Sequence, residues 1–280
     1  MNPRRPAPNP ATLSDRDLAV LDDIASFRAM TGDQLRRLHF DHQHGEGSAA
    51  GALRSCQRTL RRLVDLGLLA TLSRRVGGVR SGSAGLTYVL GYHGQRLVRP
   101  DRRARTPEGL GDRYVAHTLA VAEVAVGLRE LVRRGAVDDL LVEVEPLCWR
   151  EFTAGRKTAT LKSDLFVTVG AGDLEARWFV EVDLATESLV RVRAKCQTYL
   201  DYYATGIETD LHGVFPKVAW ITPDERREHQ IADVIAKLPP PAGDMFTVTT
   251  TVSAINTLTS IDPDGGEVDE HAAAEQGAPR

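Results

Sequence analysis

The chain has 280 residues, of which 42% are hydrophobic and 26% are charged, and its formal net charge is −3. This composition is typical of a soluble globular protein with one large domain or two ordinary ones. The three cysteines lie far apart and form no CxxC pair, which excludes a disulfide framework and disfavours a cysteine zinc site. No apolar run approaches the roughly 18 residues of a membrane span, and residues 1–12 lack the apolar core of a signal peptide. We therefore expect a cytoplasmic protein with a flexible N-terminus and no membrane partner.

The net charge conceals a strong asymmetry along the chain. Residues 54–105 contain 12 arginines, no lysine and two acidic residues, a charge of +10, so the rest of the chain carries −13. Residues 261–280 contain six acidic residues and one arginine, which predicts a disordered acidic tail. A basic segment within an acidic chain indicates a polyanionic partner at that segment. The alternative is a solvated, arginine-rich surface without a specific partner.

Two helices are predicted before the basic segment. Ser14 begins the first, with acidic residues in the first turn, where the helix dipole favours them. The residues Thr31-Gly32-Asp33-Gln34 have the spacing of a capping box and open the second.

A third helix, over residues 49–66, carries most of the functional information. Its apolar side centres on Leu53, Cys56, Leu60 and Leu63. The opposite side carries four arginines, namely Arg54, Arg58, Arg61 and Arg62. A helix that lies in the major groove of DNA needs this division, with an apolar back and long hydrogen-bond donors in front.

A β-hairpin is predicted after the third helix, and its Gly/Ser-rich tip carries Arg74, Arg75 and Arg80. A basic hairpin in this position is a wing, which contacts phosphates or the minor groove. We therefore predict a winged helix-turn-helix domain over residues 13–98 that binds double-stranded DNA. The alternative is a winged helix used for contact with another protein.

The second half has the pattern of a different domain. Residues 99–111 are polar and predict a linker, and residues 112–260 predict an α/β sandwich with a mixed sheet. The first helix of this domain is apolar on nearly all sides between Leu119 and Leu128, so we expect two of its faces to be covered. Glu123 is a lone carboxylate in that stretch, and a buried carboxylate needs a partner or a task.

Four further residues of this domain could carry chemistry. Asp164 begins a predicted strand, Glu181 and Asp183 end a later one, and Lys195 lies on the next helix. Carboxylates at the ends of adjacent strands, together with a lysine, are the parts of a Mg²⁺-dependent nuclease site, in which Asp164, Glu181 and Asp183 would bind the metal. Glu123 would add a carboxylate from the first helix.

This order of elements resembles the PD-(D/E)xK fold of restriction endonucleases. The sequence departs from that pattern because Ser163 replaces its proline and Asp183 occupies the position of its lysine. Lys195 would have to replace that lysine from the helix. We therefore expect a degenerate, binding-only domain rather than an active nuclease. A third interpretation is that Glu181, Asp183 and Glu187 only orient the loop before the next helix, with Thr186 or Ser188 as its N-cap.

The whole arrangement, over roughly residues 12–250, resembles the replication-relaxation family of actinobacterial plasmids and integrated mobile elements. The segments that carry the resemblance are LSDRDLAVLDDIASFRAMTGDQLRRLHF, RTLRRLVDLGLL, LTYVLGYHGQRLV, HTLAVAEVAVGL and FVEVDLATESLVRVRAKCQTYLDYY. The resemblance implies a DNA-binding accessory protein that acts in plasmid replication and DNA relaxation. It gives no matched catalytic residue, so the candidate sites depend on the residues themselves.

Three hypotheses about function follow. The first is a DNA-binding protein without a cofactor, whose second domain forms a homodimer or recruits replication or transfer proteins. The second is a Mg²⁺-dependent endonuclease or nickase. The third is a transcriptional regulator.

Overall fold

The computed structural model describes residues 9–40, 48–72, 85–101, 111–155, 157–172 and 174–260. Several predicted features lie outside these residues: the first eight residues, the hairpin tip with Arg74, Arg75 and Arg80, most of the linker, and the acidic tail at 261–280.

The N-terminal part begins with three helices, in the order that the sequence predicts. After a 3₁₀ turn at Pro10–Thr12 come helix α1 (Asp15–Phe27), the short strand β1 (Met30–Thr31), helix α2 (Gly32–His39) and helix α3 (Ala49–Asp65). Ser14 caps α1 and Thr31 caps α2, each in a reciprocal capping box. Both predicted helix starts are therefore confirmed.

A small antiparallel sheet follows α3. Strands β2 (Leu69–Thr71) and β3 (Thr87–Leu90) join β1 in this three-stranded sheet. The order of the strands is β1-β3-β2. The chain then enters helix α4 (Tyr92–Val98), which the sequence analysis did not separate from the hairpin. Gly94 allows α4 to sit directly on the backbone of Leu68, since a Cβ at position 94 would lie 2.1 Å from the Leu68 carbonyl oxygen.

Helix α5 (Asp112–Arg133) joins the two halves of the molecule. One side of it packs against α1, α2 and β1, and another side packs against the large sheet that follows. The buried residues of α5 belong to one continuous core with Leu21 and Ile24 of α1 and with Val167 and Val180 of the large sheet. The predicted coverage of this helix on two faces is confirmed.

The second half is a mixed sheet between two layers of helices. The remaining strands are β4 (Asp139–Val144), β5 (Arg150–Ala154), β6 (Lys157–Leu161), β7 (Leu165–Ala171), β8 (Leu174–Val182), β9 (Lys217–Thr222) and β10 (Phe246–Thr250). Five of them form the large sheet in the order β10-β9-β8-β7-β4, while β5 and β6 form a separate hairpin that the sequence analysis did not predict. The pairs β4–β7 and β7–β8 are antiparallel, and the pairs β8–β9 and β9–β10 are parallel.

The helices of the second half cover the two faces of this sheet. They are α6 (Leu189–Tyr203), α7 (Ile207–His212), α8 (Glu225–Ile235), α9 (Ala242–Met245) and α10 (Ala254–Thr259). Alternate residues of β7 and β8 face opposite sides, so that Val167 and Val180 contact the α5 layer and Phe166 and Phe179 contact the α6 layer. The chain is therefore a mixed α/β protein with a mixed sheet. No helix among the described residues is long and apolar enough to cross a membrane.

Candidate functional site

The arginines of α3 lie on the outside of the molecule, as predicted. The buried residues of this helix are Ala52, Cys56, Leu60 and Leu63. Arg54, Arg58, Arg61 and Arg62 are all exposed. The prediction for Leu53 was wrong, because it lies at the edge of the apolar stripe and its side chain is 47% exposed.

Arg62 differs from the other three arginines because it is bound within the molecule. Its Nη2 lies 2.5 Å from Oδ1 of Asp17 on α1, whose side chain is only 2% exposed. Burial alone would raise the pKa of Asp17, but hydrogen bonds from Arg62 and Ser14 hold that pKa below its usual range. Arg62 therefore fixes α3 to α1.

Arg54, Arg58 and Arg61 line a groove between α3 and the strands β2 and β3. The groove has a volume of about 680 Å³, and its floor includes Tyr88 and Leu86. Among the residues that the structure describes, no carboxylate lies within ion-pair distance of these three guanidinium groups. We call Arg54, Arg58 and Arg61 the α3 arginine face. Its charges are available to a partner, whereas the charge of Arg62 is already compensated.

The second group of predicted residues meets at one end of the large sheet. Asp164 immediately precedes β7, and its backbone N–H donates to Val180 of β8 at 3.1 Å. Its Oδ2 accepts a hydrogen bond of 2.8 Å from the backbone N–H of Val182, which places its carboxylate beside Glu181. Lys195 of α6 donates to Oε2 of Glu181. The structure thus brings together three of the five residues that the sequence predicts for this site.

Two further residues belong to this site but were not predicted from the sequence. Tyr199 lies one turn after Lys195 on α6, and its hydroxyl donates to Oε1 of Glu181 at 2.6 Å. His117 of α5 has its Nε2 at 3.1 Å from Oδ1 of Asp164. A signal for it existed, because His117, Val121, Val124 and Leu128 recur at helical spacing. A histidine that continues a buried stripe indicates a polar partner. We call Asp164, Glu181, Lys195, Tyr199 and His117 the sheet-end cluster.

The groups of the sheet-end cluster perturb one another strongly. Burial raises the pKa of Glu181 to about 8, although Lys195 opposes this shift. Burial alone would lower the pKa of Lys195, but the charges of Glu181 and Asp164 hold that pKa above its usual value. Burial alone would raise the pKa of Asp164, but His117 and Lys195 hold it below its usual range. The hydrogen bond to Asp164 in turn raises the pKa of His117.

Asp183 does not join the sheet-end cluster. Its Oδ2 lies 2.5 Å from Nε of the buried Arg227 on α8, and its Oδ1 accepts from the backbone N–H of Ala185 at 2.8 Å. Arg227 also donates to the carbonyl oxygen of Glu187 at 2.8 Å. Asp183 therefore orients the loop before α6, as the third interpretation expected, and Ser188 caps that helix. Its assignment as a metal ligand is not supported by this geometry.

Glu123 also lies elsewhere, because it is six residues after His117 and hence about 240° around the helix from it. It faces α2, where it accepts hydrogen bonds from Arg37 and, at 3.0 Å, from Nε2 of Gln34. Its side chain is 44% exposed. The expectation of a buried carboxylate that completes a nuclease site was wrong.

The predicted metal site can be judged from the donor atoms present. Both oxygens of Asp164 and both oxygens of Glu181 already accept hydrogen bonds or face a cation. In the described ranges, no three His, Cys, Asp or Glu side chains gather in a way that could hold a metal ion. The arrangement therefore fits Mg²⁺ poorly, since this ion needs several free oxygen ligands.

A small cavity of about 40 Å³ gives access to Asp164 and His117, and residues at the end of α1 line one side of it. Arg28 follows α1 with a left-handed backbone (φ 66°) and donates to the Tyr114 hydroxyl at 2.6 Å. Its other nitrogen lies 3.3 Å from Oε2 of Glu145. A cavity of this size holds only a few water molecules, and it is far smaller than the roughly 300 Å³ of a typical ligand pocket.

A family model described as replication-relaxation matches residues 21–218. A search of curated proteins found no match. Two similar solved structures are titled "Structure of restriction endonuclease FokI bound to DNA" and "Structure of restriction endonuclease FokI". Both are 9% identical to this chain, with TM-scores of 0.28 and 0.29, and they cover 88% and 86% of it. The chain spans 45% and 43% of the length of those two chains, which is less than half.

Proposed function

This chain belongs to the replication-relaxation family, and we propose that it is a DNA-binding accessory protein of a plasmid or an integrated mobile element. It acts in replication and DNA relaxation, or in their control, by holding double-stranded DNA. The observation that carries the proposal is the α3 arginine face, with three exposed guanidinium groups that no described carboxylate compensates.

The DNA-binding unit is a winged helix-turn-helix formed by α1, α2, α3 and the hairpin of β2 and β3. In this proposal α3 lies in the major groove, where Arg54, Arg58 and Arg61 contact base edges and phosphates. Arg74, Arg75 and Arg80, which lie outside the described residues, contact the flanking backbone from the hairpin tip. The second half acts as a docking platform for a second copy of the chain or for replication or transfer proteins. A transcriptional regulator would use the same DNA contacts.

The test is a gel-shift titration of a plasmid fragment at several salt concentrations. Arg58→Ala should weaken binding and reduce the slope of log K against log salt by about one, because one phosphate contact is lost. Arg193→Ala is the matched control, since Arg193 is an exposed arginine on α6, far from α3 in sequence. It should leave both the affinity and the slope unchanged. Equal binding by Arg58→Ala and the wild type at every salt concentration would show that α3 does not face DNA.

A second candidate function is DNA nicking or cleavage by the sheet-end cluster. It is favoured by the contact of Lys195 with Glu181 beside Asp164. Cleavage would require Lys195 and Tyr199 to release Glu181. It would also require the end of α1, which lines the small cavity, to move away from Asp164. Supercoiled plasmid incubated with protein and Mg²⁺ tests this candidate, with Asp164→Asn as the inactive variant. Intact plasmid after incubation with the wild type would exclude it.

A further inference from the structure

The α3 arginine face has a candidate partner within the same chain. Residues 261–280 lie outside the described residues, and they contain six acidic residues, one arginine and few large apolar groups. We propose that this acidic segment docks on the α3 arginine face and competes with DNA for it. The competition rests on the proposed function, whereas the docking itself does not.

Charge complementarity favours the α3 arginine face over the arginines that are already paired within the described chain. Arg37, Arg129, Arg150 and Arg227 each form an ion pair with a carboxylate of the described chain. Arg62, on the same helix, is bound to Asp17. Arg54, Arg58 and Arg61 have no such partner among the described residues, and they lie side by side along one groove. Among the described residues, these three guanidinium groups therefore form a local cluster of positive charge without a paired carboxylate, beside Asp65 in the same groove, and an acidic segment would meet that charge on α3.

The acidic segment is long enough to reach this face from its point of origin. The described chain ends at Ser260, directly after α10, and α10 packs against α5. Helix α5 also packs against α2, which is the neighbour of α3. Twenty residues of extended chain span at most about 70 Å. A folded protein of 280 residues has a radius of gyration of about 19 Å. The reach of the acidic segment therefore exceeds the expected width of the molecule.

Docking has two measurable consequences for DNA binding. A tethered competitor has an effective concentration on the order of 1 mM. If its intrinsic Kd is about 0.25 mM, it lowers the apparent DNA affinity roughly fivefold. Incoming DNA also displaces the acidic segment instead of bound anions, so the intact chain should show a shallower salt dependence than a chain without the acidic charges. The two chains should bind alike at high salt, where the intramolecular contact is screened.

The experiment compares the full-length wild type with a full-length neutral-tail variant. That variant carries Asp262→Asn, Asp264→Asn, Glu267→Gln, Asp269→Asn, Glu270→Gln and Glu275→Gln. In gel shifts at low salt it should bind DNA about fivefold more tightly than the wild type, with a steeper salt slope. A matched control neutralises Glu225, Glu228 and Asp233 on α8, which removes exposed or half-exposed acidic charge from another part of the chain. The control removes three charges and the neutral-tail variant removes six, so gains in proportion to the number of charges removed would overturn the proposal, because the effect would then follow net charge alone.

A second measurement tests docking without DNA. A fluorescein-labelled peptide of residues 261–280 is titrated with the neutral-tail variant, and its anisotropy is followed. The peptide should bind at low salt, and Arg54→Gln, Arg58→Gln and Arg61→Gln introduced together into that variant should abolish the binding. Binding that survives these three substitutions, or that never occurs, overturns the proposal. Binding that depends on the arginines in a protein that shifts no DNA supports docking and overturns the proposed function instead.

Discussion

The α3 arginine face and the sheet-end cluster both include charged residues that the sequence pattern singles out, but the surroundings of these charges in the structure are opposite. On α3, Arg54, Arg58 and Arg61 point outward and meet no described carboxylate. In the sheet-end cluster, each charged group is held by another, as Lys195 is by Glu181 and Asp164 by His117.

This difference separates recognition from internal support. A charge without an internal partner can attract an oppositely charged molecule in solution. A buried charge that is paired and hydrogen-bonded attracts such a molecule only weakly. The contrast also exists within helix α3 itself, since Arg62 is paired with Asp17 and Arg58 has no ion-pair partner among the described residues. The position of a charged residue in the sequence pattern is therefore a weaker guide to its role than the presence of a carboxylate within reach.

The largest effect should come from the ion pair between Arg227 and Asp183, the most buried pair among the described residues, whose side chains are 6% and 2% exposed. Arg227→Ala leaves the carboxylate of Asp183 buried and without its cation, so we expect a loss of about 3–5 kcal/mol of unfolding free energy. Urea denaturation measures this loss. The neighbouring Arg226 is exposed, and Arg226→Ala should change the unfolding free energy by less than about 0.5 kcal/mol. Comparable losses in the two variants would mean that the pair does not support the fold.

Most of the fold could be predicted from the sequence, because the periodicity of the apolar residues states which side of each element is covered. Helices α1, α2 and α3 begin where Ser14, Thr31 and residue 49 indicate, β7 begins directly after Asp164, and β8 ends between Glu181 and Asp183. The hairpin of β5 and β6 was missed, since its strands are short and largely polar on one side. Helix α4 was missed because its close contact with β2 depends on Gly94, which has no signal in the periodicity.

A smaller effect should distinguish the two kinds of arginine on α3. Arg62→Ala removes the ion-pair partner of buried Asp17, but Arg62 itself is 46% exposed, so we expect a loss of only about 1 kcal/mol of unfolding free energy. Its DNA affinity should change little once the variant is folded. Arg58→Ala should do the reverse, with unchanged urea denaturation and weaker DNA binding. If the two variants lose affinity equally, the pairing of Arg62 in the free protein does not decide its role.

The sheet-end cluster was predictable only in part, because sequence order gives strand ends and helix faces but not the partner of each side chain. Asp164 and Glu181 could be placed together since they lie on neighbouring strands. Lys195 was included because it lies on the helix that follows Glu181 and Asp183. Asp183 was misassigned because its partner, Arg227, lies 44 residues further along the chain. Glu123 was misassigned because α5 also packs against the N-terminal helices, which supply Arg37 and Gln34.

The smallest effect should be a change of stability with pH that depends on His117. The hydrogen bond to Asp164 raises the pKa of His117 above its ordinary value of 6.5. The folded protein therefore holds this proton more tightly than the unfolded chain does, and the resulting stabilisation is fully present below pH 6.5. It is lost as the pH rises through the folded-state pKa. We expect urea midpoints to fall as the pH rises above 6.5 in the wild type and to fall less in His117→Asn. His229 is exposed on α8, so His229→Asn should keep the wild-type profile. A wild-type profile in His117→Asn would assign the pH dependence to another group, such as Glu181. The raised pKa of Glu181 also makes the folded state less stable as the pH rises toward about 8.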